Sequence, residues 1–348
     1  MLQFDIVLQK QNLGAHQDVH PAMYMPSHGE FLVEALARAG LKPGLIFGLD
    51  DFAHGADLLN QSTAELLIVC GADQHLSEAF ESGWKQLRRR YQRTVLIVSE
   101  PIYSPLAYYL DAGRNAVVQH ERFLERVQPD LVLYLSQIDV IAARARHGSG
   151  FACELYSLAD PELLREPVLD WPAKDPVLLY LGKPQAWLWA RRPPGAMTRE
   201  QQLDFFRRQT RQPFAWSERS FSFRECYGVV NQFRFQLQPR SGYAFHTARV
   251  VQSAIAGCIP VILLHRDEVP LLQAEAPFAR PGYNLIVGLE GDFDSLLDQM
   301  QDEAHCRKIQ SQLGELLAAG TITQGAQRIA DWLRGQLEPG TEQTYSGH

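Results

Sequence analysis

Residues 235–264 read FQLQPRSGYAFHTARVVQSAIAGCIPVILL, and they gather Arg240, His246 and Arg249 where a polar run enters a helical pattern. Guanidinium groups beside the unpaired N–H groups of a helix start are suited to holding phosphates and other anions. On a helix from about Phe245 to Ala256, Val250, Val251, Ala254 and Ile255 share one side, while His246, Arg249, Gln252 and Ser253 share the other. Gly257 supplies the left-handed residue that ends many helices, and Pro260 stands at the start of an apolar strand. This arrangement would suit the pyrophosphate of a nucleotide. The same spacing also describes an exposed helix with solvated charges, so spacing by itself leaves both readings open.

The elements that position these residues show as an alternation of patterns. FDIVLQ, GLIFGL, ELLIVCG, TVLIVSE and DLVLYLS are short apolar runs, separated by helical patterns such as EFLVEALARAG, LSEAFESGWKQLRRRYQ and the stretch from His120 to Val127. Apolar strands alternating with helices predict a parallel sheet covered on both faces. The texture changes at 158–176, LADPELLREPVLDWPAKDP, where four prolines interrupt any period. After it VLLYLGK restarts the alternation, followed by a long Arg-rich excursion from Arg191 to Arg224 with room for two helices. FRFQLQ, the anion motif, YNLIVGL and a helix from about Phe293 complete the second half. The fold class is therefore α/β, with two Rossmann-like domains whose parallel sheets face each other across a cleft. The expected divisions are 1–165, a Pro-rich linker at 166–176, 177–337 and a disordered tail at 338–348. In such open sheets ligands bind outside the carboxyl ends of the strands, which places the site in the cleft.

Composition excludes several classes. The chain has 348 residues, 46% hydrophobic and 21% charged, with a formal net charge of -7. That negative balance opposes a phosphate-tracking surface, so nucleic acid is not an expected partner. The run Arg88, Arg89, Arg90 with Arg93 reads as a solvated helix end. Five cysteines, scattered and never in a CxxC pair, suggest neither a disulfide framework nor a zinc site. No signal-like or transmembrane stretch is evident, and a cytoplasmic location is the expectation. A Rossmann oxidoreductase would need G-x-G-x-x-G after the first strand, and a P-loop enzyme would need Gly-Lys-Ser/Thr; both are missing.

FQLQPRSG, Arg249, AGCIPVILL and DEVPLL together resemble the C-terminal core of exostosin-like glycosyltransferases, and YSLADPELLREP resembles the segment that closes the first domain of group 1 glycosyltransferases. The two matches fall in the order that a GT-B fold requires. The resemblance implies an enzyme that moves a sugar from a nucleotide-sugar donor to a glycan, lipid-linked or protein acceptor. Fixed cations and helix N–H groups can stabilise the leaving diphosphate without a metal, and no cofactor is expected. Carried over by position, it implies that Arg240 and Arg249 neutralise donor phosphates, with the backbone at Ser241 and Gly242 approaching them and His246 on the same polar side. Gly182 and Lys183 form a shortened version of the family's phosphate loop. Where the family carries a carboxylate on the helix, this chain has Gln252, so either the donor contact is altered or Glu268 or Asp267 in the next turn takes over.

An inverting transfer also needs a general base, which the first domain would supply. Candidates are Asp50, Asp51 and His54 in GLDDFAHG, Asp73 and His75 in CGADQH, and Glu100. GLDDFAHG is the densest cluster, which selects Asp51 and His54, although each candidate has the alternative role of helix cap or loop anchor. His16, Asp18, His20 and His28 have metal-like spacing, but Pro21 and Pro26 make the segment a loop. Tyr24 and His28 are then expected to face the sugar acceptor. Trp187, Trp189 and Trp216 are read as packing residues ahead of stacking platforms. The rival function is a non-catalytic glycan- or protein-binding module on a degenerate GT-B fold.

Overall fold

The computed structural model describes residues 2–8, 26–48, 62–70, 89–98, 102–103, 116–134, 136–155, 159–184, 193–219, 221, 223–239 and 247–335. Its first half contains strands β1 (Gln3–Leu8), β2 (Lys42–Gly48), β3 (Leu66–Cys70), β4 (Arg93–Ile97), β5 (Leu131–Tyr134) and β6 (Cys153–Leu155), with helices α1 (Pro26–Arg38), α2 (Ala116–Val127) and α3 (Gln137–His147). Its second half contains β7 (Asp175–Leu181), α4 (Arg199–Arg208), β8 (Phe214–Ser217), α5 (Phe223–Asn231), β9 (Phe233–Gln238), α6 (Thr247–Ile255), β10 (Ile259–Leu264), α7 (Val269–Glu275), β11 (Ile286–Leu289), α8 (Phe293–Gln301), α9 (Glu303–Ser311) and α10 (Ile322–Leu333). Among the described residues the strands form two sheets, ordered β2-β1-β3-β4-β5-β6 and β11-β10-β9-β7-β8. Every pairing is parallel.

The central strands are apolar on both faces because helices cover both faces. All residues of β3 and of β10 are buried. The periphery departs from the sequence expectation. β6 and β8 are short edge strands of three and four residues, too brief to leave a periodic signature, and β8 stands where a second helix was expected. Helix α1 starts at Pro26, so Pro26 opens a helix rather than prolonging a loop; a first-turn proline loses no helical bond. His28 therefore lies in the first turn of that helix.

The two halves are joined through more than the linker. Ile322, Ala326, Ile329 and Ala330 of α10 share one core cluster with Leu32 and Leu36 of α1 and with Phe4 and Ile6 of β1. The chain thus returns to the first sheet after completing the second. Asp160 fixes the return: its carboxylate accepts the Thr323 N–H at 2.7 Å and the Glu162 N–H at 3.0 Å. Across the halves, the Ser136 hydroxyl at the start of α3 donates to the Glu275 carboxylate on α7, and both residues are buried.

Lys174, just before β7, is only 2% exposed. Its ammonium donates to Ala256 O at 2.8 Å, to Asn231 Oδ1 at 3.0 Å and to Asn231 O, so it closes the carboxyl ends of α5 and α6 together. Gly257, at φ 61°, follows α6 beside it, as the sequence requires. Burial pulls the Lys174 ammonium down from 10.5 to about 8, with nearby Cys258 acting the other way. Replacing Lys174 by Met leaves buried carbonyl oxygens without donors and should cost about 2–4 kcal/mol in urea unfolding. The folded value lies below the unfolded one, so the cost of burying the charge is full below about pH 8 and is relieved as pH rises toward 10.5. The stability advantage of the wild type over Lys174→Met should therefore widen across that window.

Candidate functional site

Numbered from its own first strand, the second sheet has the order 2-1-3-4-5, so its winding reverses between β7 and β9. Helices leaving two neighbouring strands on opposite faces open a crevice at their carboxyl ends. The residues that the chain delivers to that edge are Gly182 and Lys183 after β7, α6 after β9, the turn His265 to Glu268 after β10, and Glu290 after β11.

Helix α6 is anchored by Val250 and Val251, both fully buried. Opposite them Arg249 is half-buried, and its guanidinium donates to Leu181 O, the last carbonyl of β7, at 3.4 Å. Arg249 thus spans from α6 to β7, beside Gly182 and Lys183. Its charge also reaches Cys226 on α5, whose thiol burial raises to about 11 while Arg249 acts in the lowering direction. Gln252 is half-buried on the same helix. Ser253 differs from the sequence expectation: it is fully buried, and its hydroxyl contacts Gln236 Oε1 and lies 3.4 Å from Gln238 Nε2 on β9. Inward-facing glutamines on a central strand recruit a helix hydroxyl that the pattern had assigned to the open side.

The turn after β7 is held tightly. Gly182 adopts φ 142°, a region other residues rarely enter, and a Cβ there would lie 2.9 Å from the Tyr180 hydroxyl. The Gly182 N–H donates to Ser217 O at 2.9 Å and its carbonyl accepts the Trp216 indole N–H at 2.8 Å. The Lys183 carbonyl accepts from the Tyr180 hydroxyl at 2.8 Å and from the Arg199 guanidinium at 3.3 Å. Trp216 packs beside Tyr180, with ring centroids 6.2 Å apart, and carries the Arg207 guanidinium over its ring at 5.4 Å. It is a packing residue, with a role in the turn that spacing could not disclose.

Glu268 is fully buried, and its carboxylate accepts the His265 N–H at 2.8 Å, while His265 Nδ1 accepts the Asp267 N–H at 3.3 Å. This reciprocal cap fixes the turn that opens α7. Asp267 is exposed. Glu290, not singled out from the sequence, accepts Gln202 Nε2 at 2.7 Å and the Met197 N–H at 2.9 Å, bracing the start of α4 against the sheet edge. An acidic residue directly after the YNLIVGL strand was the available signal.

Arg240, Ser241, Gly242 and His246 lie outside the described residues, as do Tyr24, Asp51, His54, the other base candidates, Trp187, Trp189 and the tail at 338–348. The structure therefore brings together Gly182, Lys183 and Arg249, with Gln252 on the same helix. At the carboxyl edge of the first sheet, Asp139 accepts the N–H groups of Ile102 and Tyr103 at 2.9 and 2.7 Å, and the Tyr103 hydroxyl donates to Glu121 at 2.8 Å. Among the described residues no group of three or more His, Cys, Asp or Glu side chains is placed to hold a metal ion. No described helix is long and apolar enough to cross a membrane.

No protein-family model matches the chain, and no curated protein matches it by sequence. Solved structures do match. The Anabaena protein Alr3699/HepE in complex with UDP aligns over 96% of this chain and 100% of its own, at 13% identity and TM-score 0.55. A glycosyltransferase from Rickettsia africae aligns over 97% and 99%, at 8% identity and TM-score 0.53. Arabidopsis thaliana UGT89C1 complexed with UDP-L-rhamnose aligns over 95% and 99%, at 11% identity and TM-score 0.50. At such identities the likeness is one of fold. Together with the two parallel sheets, it makes this a GT-B fold, two Rossmann-like units facing across a cleft.

The Gly182 geometry has a direct test. Gly182→Ala should lower stability by about 1–3 kcal/mol in chemical unfolding, from backbone strain and the clash with the Tyr180 hydroxyl. Adding Tyr180→Phe should return the part due to the clash and leave the part due to φ. Full recovery would assign the whole cost to the hydroxyl.

Proposed function

We propose that the protein is a glycosyltransferase that moves a sugar from a nucleotide-sugar donor to a glycan, lipid-linked or protein acceptor. The observation that carries this reading is the reach of Arg249 to Leu181 O, the carbonyl just before the Gly182-Lys183 turn, at the winding reversal of the second sheet in a chain with the GT-B fold. UDP is the ligand of the HepE structure, and UDP-L-rhamnose that of UGT89C1, which makes a nucleoside diphosphate the first chemistry to test here. The exostosin-like run from FQLQPRSG to DEVPLL supports the same placement of Arg240, Ser241, Gly242 and His246 around the donor phosphates.

In this reading, departure of the nucleoside diphosphate develops negative charge on the leaving oxygen. Arg249, Arg240 and the N–H groups at the start of α6 stabilise that charge without requiring a metal. Lys183 contributes a further cation on the β7 side. Gln252 stands where the resembling family has a carboxylate and hydrogen-bonds a ribose hydroxyl as a neutral partner, while Glu268 anchors the turn that opens α7. Asp51 or His54 removes the proton of the acceptor hydroxyl, and Tyr24 and His28 shape the acceptor side.

A second reading, a non-catalytic glycan- or protein-binding module, is favoured by one residue: Gln252 cannot act as a charged acceptor. Two measurements separate the readings. A thermal-shift series with UDP, GDP, CMP, dTDP and ADP should show selective stabilisation by one nucleotide, reaching about 2.7 kcal/mol at 100 times its dissociation constant. Arg249→Ala should weaken that nucleotide roughly 10- to 100-fold, the size of a charged hydrogen-bond contact. Slow hydrolysis of the matching nucleotide sugar without acceptor supports the enzyme; binding with no turnover supports the module.

A further inference from the structure

Trp216 and Tyr180 lie outside the phosphate contacts proposed above, yet both donate to the turn that would make them. From this geometry we infer that Trp216 is a positioning residue for the donor diphosphate, because it turns the Gly182–Lys183 peptide so that the Lys183 N–H faces the β7–β9 crevice. The inference rests on the donor reading of that crevice and adds to it the device that aims one of its donors.

In a planar trans peptide the C=O and the following N–H point in opposite directions. The Gly182 carbonyl is taken by the Trp216 indole on β8 at 2.8 Å, and the Gly182 N–H is taken by Ser217 O on the same strand at 2.9 Å. The Lys183 N–H therefore points away from the Trp216 indole. β7 lies between β8 and β9, and on its β9 side Arg249 reaches Leu181 O at 3.4 Å. An amide N–H and a guanidinium thus converge on one crevice from two elements.

The next peptide cannot share this task, because residue 184 is proline and has no N–H. Its carbonyl, that of Lys183, is held by Tyr180 at 2.8 Å and by Arg199 at 3.3 Å, so the turn is pinned on both sides of Lys183. A φ of 142° at Gly182 is what lets the chain leave β7 in this orientation. Trp216 is not placed as a platform for a base: Tyr180 packs beside its ring and the Arg207 guanidinium lies over it at 5.4 Å.

The test compares UDP with uridine, since only the diphosphate would feel the Lys183 N–H. Dissociation constants are measured by ligand-observed NMR for wild type, Trp216→Phe and Tyr180→Phe, with thermal unfolding of each. Trp216→Phe keeps an aromatic ring and loses the indole N–H. It should weaken UDP by roughly five- to tenfold, the size of one hydrogen bond, and leave uridine within about twofold. Tyr180→Phe, which releases the other side of the turn, should weaken UDP in the same selective way and serves if Trp216→Phe fails to fold. Equal weakening of UDP and uridine would make both residues merely structural and overturn the inference. Unchanged UDP affinity in a folded Trp216→Phe protein would overturn it too. A wild type that binds neither ligand would instead remove the donor reading on which the inference stands.

Discussion

The reversal of winding between β7 and β9 is the constraint on which the rest of the molecule depends. A parallel sheet whose connections all run the same way closes its carboxyl edge with helices; a reversal leaves one gap. Here the gap falls where β7 ends in Gly182 and where α6 follows β9. Everything rigid around it serves to hold those two ends. Lys174 ties the carboxyl ends of α5 and α6, Val250 and Val251 seat α6 on the core, and β8 takes both polar backbone atoms of Gly182.

The electrostatics follow from this geometry. The chain carries a formal net charge of -7, so no broad field draws anions to it. Positive charge is instead local: Arg249 is half-buried and hydrogen-bonded to a strand-end carbonyl, which limits its motion and reduces its exposure to solvent. A fixed cation in such a setting needs little reorganisation to stabilise charge that develops beside it. Inter-sheet contacts add a second layer of order. The return of α10 to the first sheet, held by Asp160, and the buried Ser136–Glu275 contact join the two halves at separate points.

Sequence and structure agree where periodicity is strong and part where it is short or polar. The buried runs at β3, β4, β5, β7 and β10 were legible because strands covered on both faces are largely continuous apolar stretches. β6 and β8 were not, since edge strands of three or four residues leave no period to read. Ser253 was placed on the wrong side because its partners, Gln236 and Gln238, are inward-facing polar residues that a hydrophobicity pattern treats as outward. Of the candidate site, Gly182 and Arg249 were visible from residue type and from their places after a strand and in a helix. The bracing by Trp216 was not, because a hydrogen bond from a side chain to a carbonyl 34 residues away has no local signature.

The most direct test of the account is a crystal structure of the protein grown with saturating UDP. The diphosphate is expected in the β7–β9 crevice, within hydrogen-bonding distance of the Arg249 guanidinium and the Lys183 N–H. UDP bound elsewhere, or a crevice left without it at saturation, would contradict the assignment of this edge as the donor site.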